Sequence, residues 1–462
     1  MPPELALVLW LVLLLALLYF DPAKVAGTSA ALWVPVVWMF IVGSRLPSQW
    51  LGFQPASASA FEQGNSLDRT IDLLLIVLAI AILMSRRFQW GTFITRNLPL
   101  IAFLTFALLS IVWSDFPFIS LKRWFRDLGS YLVILVVLSD PSPLEAIRTV
   151  LRRLCYSLIP LSVLLFKYFP SLGRQYDTWS GAVLPLGATT SKNMLGALCL
   201  VSGLFFVWDT MTRWPDRRKP QTKRVILVNF ALLGMTLWLL KLSNSMTSRV
   251  CLVIGCIVLL ATHMQMFKRH PGFLKVGIPS VFLLYLVLAF GFGLNGELAS
   301  QLGRDPTLTD RTLIWRTVLN AGTNPIVGTG YESFWLGPRL MYVWRVIKGI
   351  SEAHNGYIDV YLNLGAIGVV LLAGVLVSNI KAIFKRLTSS PAFSSFGLAV
   401  WTVILFYNMT EAAFKSGLLW MLLMLSAIVV SAPAEVRVPA KAAIRRMPVS
   451  AQFSPAGTSL RK

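Results

Sequence analysis

The chain has 462 residues, of which 56% are apolar and 13% charged, and its mean hydropathy is +0.68. A soluble domain of that size needs a much larger polar surface, so the composition excludes a water-soluble globular protein and requires lipid to cover much of the molecule. The formal net charge is +22, no nucleic-acid partner is expected, and the charge has to be explained by where Lys and Arg fall between the apolar runs.

Apolar runs of about 16–22 residues alternate with short polar connections, the length that carries a helix across about 30 Å of hydrocarbon. Strand periodicity is absent, and lipid-exposed backbone must satisfy itself, so the runs read as helices and not as a barrel. In chain order the spans fall near 4–20, 28–44, 70–84, 98–113, 129–139, 154–169, 192–210, 225–242, 250–267, 275–294, 356–380, 397–413 and 417–432. The run 129–139 is too short unless its flanks contribute. The first run lacks a basic leader and a small-residue cleavage site and reads as a retained span. The fold class is thus an all-α polytopic bundle of about 12–13 spans. Its parts are N-terminal helices in 1–294, an extracytoplasmic loop in 295–355, C-terminal helices in 356–432 and a basic, disordered tail in 433–462. No internal repeat is evident. Cys155, Cys199, Cys251 and Cys256 all fall in spans, in no metal or redox spacing, and read as small apolar residues.

The segments 85–97, 212–224, 268–275, 381–386 and 433–462 are basic and belong in the cytoplasm. Thirteen spans then leave the N-terminus outside. Twelve spans, with both termini inside, is the competing arrangement. Many basic residues also fall on the outer side, among them Arg126, Lys192, Arg249, Arg304 and Arg311. Snorkelling at span ends explains some. Arginines within a long loop are better explained by an anionic ligand, because the planar guanidinium holds two phosphate oxygens at once.

In that loop, Asp310-Arg311-Thr312-Leu313-Ile314-Trp315 opens a short helix capped by Thr309 or Asp310 and ended by Asn324-Pro325. Gly328-Thr329-Gly330 makes a tight turn. Residues 333–348 fit an amphipathic helix whose face carries Trp335, Arg339, Tyr342 and Val346. Of three histidines only His354 is on the outer side, and at helical spacing it shares a face with Tyr357, Ile358, Tyr361 and Gly365. The bland alternative is a histidine capping a helix at the interface.

At these residues the sequence resembles the O-antigen ligase/polymerase superfamily, bacterial membrane glycosyltransferases that use polyprenyl-diphosphate-linked sugars. The resemblance rests on Ala353-His354-Asn355-Gly356-Tyr357 running into Tyr361-Leu362-Asn363-Leu364-Gly365, and on Arg311-Thr312-Leu313-Ile314-Trp315 followed by Pro325-Ile326-Val327-Gly328-Thr329-Gly330-Tyr331. Ser245-Met246-Thr247-Ser248-Arg249 and Ser191-Lys192-Asn193-Met194-Leu195-Gly196 extend it, with Ser191 standing where a histidine often does. Ser44–Trp50, Asn65–Arg69 and Leu121-Lys122-Arg123-Trp124 are most similar to the exopolysaccharide-polymerising branch.

The resemblance implies transfer of an oligosaccharide from polyprenyl diphosphate to a growing polysaccharide. Transfer to a lipid A core is the alternative, and a flippase or transporter is a more distant one. It implies a bacterial inner-membrane location with the site facing the periplasm, and contact with membrane lipids. Arg249 and Arg311 are the candidates to stabilise the departing diphosphate. His354, near pKa 6.5, is the candidate base for the acceptor hydroxyl. Direct displacement would invert the anomeric centre. Arg304, Tyr357, Tyr361, Asn355, Trp315, Lys192 and Arg126 are expected to bind substrate. No cofactor is expected. No Asp-x-Asp pair and no outer His/carboxylate cluster is visible, so no metal is expected either. The spans look largely free of buried acids, which argues against a transporter.

Overall fold

In the computed structural model the described residues are 1–21, 27–53, 64–176, 181–288, 309–387 and 389–430. Among them the chain is a bundle of helices: α1 (Pro3–Tyr19), α2 (Trp33–Gly43), α3 (Ser66–Ser85), α4 (Leu98–Leu109), α5 (Pro117–Leu138), α6 (Pro143–Tyr168), α7 (Lys192–Arg213), α8 (Pro220–Ser243), α9 (Met246–His263) and α10 (Gly272–Leu286). The long loop contributes α11 (Thr309–Leu319) and α12 (Gly337–Val346), and α13 (Gly356–Lys385), α14 (Pro391–Tyr407) and α15 (Leu418–Ala427) complete it. The one sheet among these residues is an antiparallel pair, β1 (Arg174–Tyr176) with β2 (Val183–Pro185), in the register Gln175 opposite Leu184.

Each of the thirteen apolar runs coincides with a helix. Five helices, α6, α7, α8, α9 and α13, are long and apolar enough to cross a membrane by themselves. A sixth span is the pair Trp90–Arg96 and Leu98–Trp113, bent by 95°. The bend is pinned at Asn97, whose side chain donates to Phe93 O and Val429 O and accepts from Val429 N, tying the turn to the end of α15. The short run 129–139 does recruit its flank: α5 starts twelve residues earlier, at Pro117, with its polar first turns carrying Lys122, Arg123, Arg126 and Asp127. α6 and α7 are the most buried spans, at 78% and 72%, and lie at the centre, whereas the exposed leucines and valines of α1 face outward.

Two of the apolar runs bury an acid, Asp209 in 192–210 and Glu411 in 397–413, and Asp21, Asp68 and Asp140 are buried in the connections beside other runs. Each takes a basic or hydroxyl partner, which is how a carboxylate survives away from water. Asp209 meets Arg213 at 2.9 Å, Arg148 at 3.3 Å and Asn229 at 3.0 Å; Asp21 meets Arg152 and Arg153, each at 2.8 Å. Asp140 meets Arg86 at 3.1 Å, and Asp68 accepts from Ser48. The basic clusters at 86–87, 148–153 and 213–224 therefore share one end of the bundle.

At the opposite end the long loop is strapped across α13. Gly365 interrupts α13 with φ 64° and ψ −164°, a conformation essentially reserved for glycine. The break exposes backbone groups on α13, and residues 325–330 satisfy them. Thr329 N donates to Leu362 O at 3.0 Å and Gly330 N to Asn363 O at 2.9 Å; Ala366 N donates to Pro325 O at 2.9 Å and Ile367 N to Ile326 O at 3.1 Å. A Cβ at Gly365 would stand 2.2 Å from Ile326 O, and one at Gly328 2.4 Å from the Asn363 backbone, so each glycine makes room for the other strand. This break also removes Gly365 from the continuous helical face on which the sequence places it.

Two loop helices differ from expectation. α11 ends at Leu319, five residues before Asn324, whose side chain instead accepts from Ile326 N and Val327 N to turn the chain. α12 covers only 337–346. Trp335 precedes it, buried, with its indole on Asp359 at 3.0 Å, while Val343 turns inward beneath the helix. Tyr342 and Val346 remain exposed. Arg304 and the tail 433–462 lie outside the described residues.

Candidate active site

Four segments far apart in sequence meet at the strapped end. Ser191 caps α7 by accepting from Met194 N at 3.1 Å, which sets Asn193 in the first turn. Asn355 caps α13 by accepting from Tyr357 N and Ile358 N, and donates to Met409 O at 3.4 Å. Gly356 N donates to Asn408 O and Glu411 O, stitching the α14–α15 connection to the start of α13. Trp315 of α11 donates its indole hydrogen to Ala353 O at 2.9 Å. His354 lies between these anchors in the left-handed region, φ 48°, one residue before the cap. It is therefore not on the helical face of Tyr357 and Tyr361, as its spacing predicts. The left-handed turn aims it toward the 408–417 connection instead.

Glu411, buried in that connection, is the centre of the cluster. It accepts from Asn193 at 3.1 and 3.2 Å, from Arg311 at 3.2 Å and from His354 Nδ1 at 3.4 Å. Glu352 accepts from the same His354 nitrogen at 3.2 Å and from Lys415 Nζ at 3.2 Å. Hydrogen bonds from the ring to Glu352 and then to Glu411 raise the imidazole to about 9, and they outweigh its partial burial. Burial alone would raise Glu352, but His354 and Lys415 hold it at about 2. Both carboxylates meet the same ring nitrogen, Nδ1, and together they favour the protonated ring more than an isolated histidine would.

Part of the cluster lines a cavity of about 460 Å³, whose walls also carry apolar side chains such as Val42, Leu198 and Leu419. Glu352, Glu411, Lys415 and Asn193 line it on this side, and Arg123, Arg126, Asp127 and Glu332 line it elsewhere. Arg126 is held by Asp72 at 3.0 Å, and Arg123 donates to Glu332 O at 2.6 Å. Tyr331 Oη donates to Asp127 at 2.5 Å.

The structure brings His354 and Arg311 together through Glu411 and places Arg126 on the same cavity. Asn355 acts as a cap, and Trp315 holds the backbone just before His354. Tyr357 turns away from the cluster: its hydroxyl donates to Leu405 O at 3.2 Å and its ring packs on Phe414 and Phe282. Tyr361 is half-buried further along α13. Lys192 is exposed, and its neighbour Asn193 is the residue of that motif that enters the cluster. Arg249 holds the end of α8, donating to Lys241 O at 2.8 Å and Leu240 O at 3.4 Å. Its turn still borders the site, because Thr247 and Thr410 share a 2.7 Å hydroxyl contact.

Glu352, His354 and Glu411 offer three ligand atoms within 4.8 Å of one another, so an outer His/carboxylate cluster exists after all. It is invisible in sequence because Glu411 is remote from His354. A divalent ion there would have to displace Arg311 and Lys415 from the carboxylates and deprotonate His354. The cations already neutralise the site, and its chemistry fits an ion-pair lattice better than a metal centre.

Asn193, Glu352, Glu411 and Lys415 are the residues that sequence reasoning missed. The signal was a glutamate inside the apolar run 397–413. An acid at that depth, with a lysine four residues on, marks a functional position more often than a lipid-facing one.

Comparison with known proteins supports the resemblance. Residues 230–373 match the sequence family described as O-antigen ligase, a segment that holds Arg249, Arg311 and His354. The chain is also 26% identical over 300 residues to the exopolysaccharide production protein ExoQ of Rhizobium meliloti (strain 1021). That alignment covers 62% of this chain and 65% of the relative, so the chain spans just under two thirds of the relative's length. Both similarities agree with the resemblance read from the motifs, to the O-antigen ligase family over residues 230–373 and to an exopolysaccharide production protein.

Proposed function

We propose that the chain polymerises polysaccharide repeat units in the bacterial inner membrane, transferring an oligosaccharide from a polyprenyl diphosphate to another glycan at its periplasmic face. One observation carries this reading. Asn193, Arg311 and His354, from three separate segments, converge on Glu411, which with Asn193 lines a cavity at the end of the bundle opposite its basic clusters. A site for lipid-linked sugar needs a chamber with both polar and apolar walls and cations for the leaving diphosphate, which carries its own activation.

In this reading Glu411 fixes the guanidinium of Arg311 and the ring of His354 before substrate arrives. Preorganised charges stabilise the negative charge that grows as the anomeric carbon–oxygen bond breaks, and they cost no reorganisation in the transition state. Arg249, on the neighbouring turn, joins Arg311 on the diphosphate. The acceptor oxygen attacks the anomeric carbon from the far side and inverts it, its proton passes to His354, whose Nδ1 is held by Glu352 and Glu411, and the diphosphate leaves with the electron pair of the broken bond. Because the arginines supply the positive charge, the reaction proceeds without a divalent ion. The exopolysaccharide name of the relative favours a polymerase over a ligase acting on a lipid A core.

The test is deletion of the gene in its host, with extraction of lipid-linked oligosaccharides. Loss of polymer with accumulation of carrier bearing one repeat unit supports the polymerase. Accumulation of carrier bearing long chains would identify a ligase, and single repeat units trapped on the cytoplasmic leaflet a flippase.

A further inference from the structure

Among the described residues, four other than glycine adopt a left-handed backbone: Arg87, Asn244, Glu332 and His354. Arg87 and Asn244 stand at the ends of α3 and α8, where that conformation is ordinary. Glu332 and His354 end no helix. His354 already belongs to the site, whereas Glu332, with φ 51°, lines the cavity and has no part in the chemistry above. A glutamate stays in this region only where its surroundings over-determine it. Gly330 lies so close to Ser114 that a Cβ there would stand 2.6 Å from the serine Cα. Tyr331 N donates to Ser110 Oγ at 2.9 Å, and Arg123 donates to Glu332 O at 2.6 Å. Phe334 N donates to Asn363 Oδ1 at 3.2 Å. The end of α4, α5 and α13 thus hold the backbone on both sides of Glu332.

Four carboxylates line the cavity, and three have partners within the protein. Asp127 accepts from Tyr331, Glu352 from Lys415 and His354, and Glu411 from Asn193, Arg311 and His354. The half-buried Glu332 carboxylate has no hydrogen-bond or ion-pair partner among the described residues. Its charge acts on Asp127 and Lys415, which line the same cavity. A carboxylate with open acceptor positions, on a backbone strained to hold it there, is arranged for donors that arrive with a ligand.

We propose that Glu332 binds the acceptor glycan, accepting hydrogen bonds from the hydroxyls that flank the attacking one. This rests on the glycosyl-transfer reading above. Both oxygens of a carboxylate accept and neither donates, which suits a pair of adjacent sugar hydroxyls. The same charge repels phosphate and uronate. The ligand at this wall is therefore a neutral, hydroxyl-bearing sugar, and the diphosphate goes to the arginines instead.

The experiment uses the purified full-length protein in lipid vesicles. The donor is the host's lipid-linked repeat unit, and the acceptor is the oligosaccharide released from that carrier, supplied in excess. Initial rates are read against each substrate in turn. Glu332→Gln keeps the size and loses the charge, so KM for the oligosaccharide should rise by about tenfold while KM for the carrier stays unchanged. Glu332→Asn, uncharged and tolerant of the left-handed region, should show the same rise and unfold no earlier than the wild type. If the glutamine variant does not accumulate, the asparagine variant decides. An unchanged KM for the oligosaccharide, or an equal rise for both substrates, overturns the proposal. Failure of both variants to fold overturns it too, because it makes Glu332 a structural residue. A wild-type protein that cannot join carrier to oligosaccharide would instead refute the glycosyl-transfer reading.

Discussion

Replacing Glu411 tests the centre of the site most directly. Its side chain is 6% exposed and receives Arg311 at 3.2 Å, His354 at 3.4 Å and both contacts from Asn193. Glu411→Gln keeps the shape, removes the charge and turns an NH2 group toward one of the donors. A hydrogen bond to a charged group contributes roughly 1.5–3 kcal/mol against about 1 for a neutral pair, so discharging the two cationic contacts costs about 1–4 kcal/mol. If that energy positions Arg311 and His354 for the transition state, the rate falls by roughly fivefold to nearly a thousandfold, at 1.36 kcal/mol per factor of ten. Glu411→Ala additionally removes the acceptor shared by Asn193, Arg311 and His354 and should lower stability by more than the glutamine variant does. Glu411→Asp should recover part of the rate. The assay is single-turnover transfer from lipid-linked repeat unit, with thermal unfolding in detergent run in parallel. A Glu411→Gln protein with an unchanged rate would show that the carboxylate organises nothing the reaction needs.

The other predictions concern its neighbours. The folded His354 pKa, about 9, lies above the ordinary value near 6.5. Its ion pairs should therefore stabilise the protein fully below pH 6.5 and be lost as pH rises through 9, a slope that His354→Gln lacks in thermal unfolding against pH. As the base, His354 should give a wild-type rate that climbs as pH rises through about 9, and a rate that falls over that range would remove it from that role. Arg311→Ala and Arg249→Ala should each abolish polymer while the protein still inserts, and Arg311→Lys should rescue poorly because an ammonium does not reproduce the planar fork; full polymer length in both alanine variants would remove them from the diphosphate. Gly365→Ala should cost about 1–3 kcal/mol for its φ of 64° alone, before the clash with Ile326 O, and should loosen residues 325–330 to protease. Unchanged unfolding of that variant would mean the strap is not anchored there.

The sequence by itself determined the helical class, the position of every long apolar run and the separation of basic connections from the end that holds the site. These are local properties: hydropathy over one membrane thickness and charge within a single connection decide them, whatever the rest of the chain does. It also singled out Arg311 and His354, because loop arginines and a lone outer histidine are anomalous where they stand. Only the tertiary structure decided which side chains those residues meet. Glu411 is 57 positions from His354 and 100 from Arg311, and no periodicity links them. Their meeting depends on the break at Gly365 and on the hydrogen bonds from Gly356 N to the 408–417 connection, which fix how the loop folds over α13. Protonation is likewise a property of the assembled site. An isolated histidine titrates near neutrality, whereas two carboxylates on its Nδ1 raise that value, and the sum of those interactions exists only after the segments have packed.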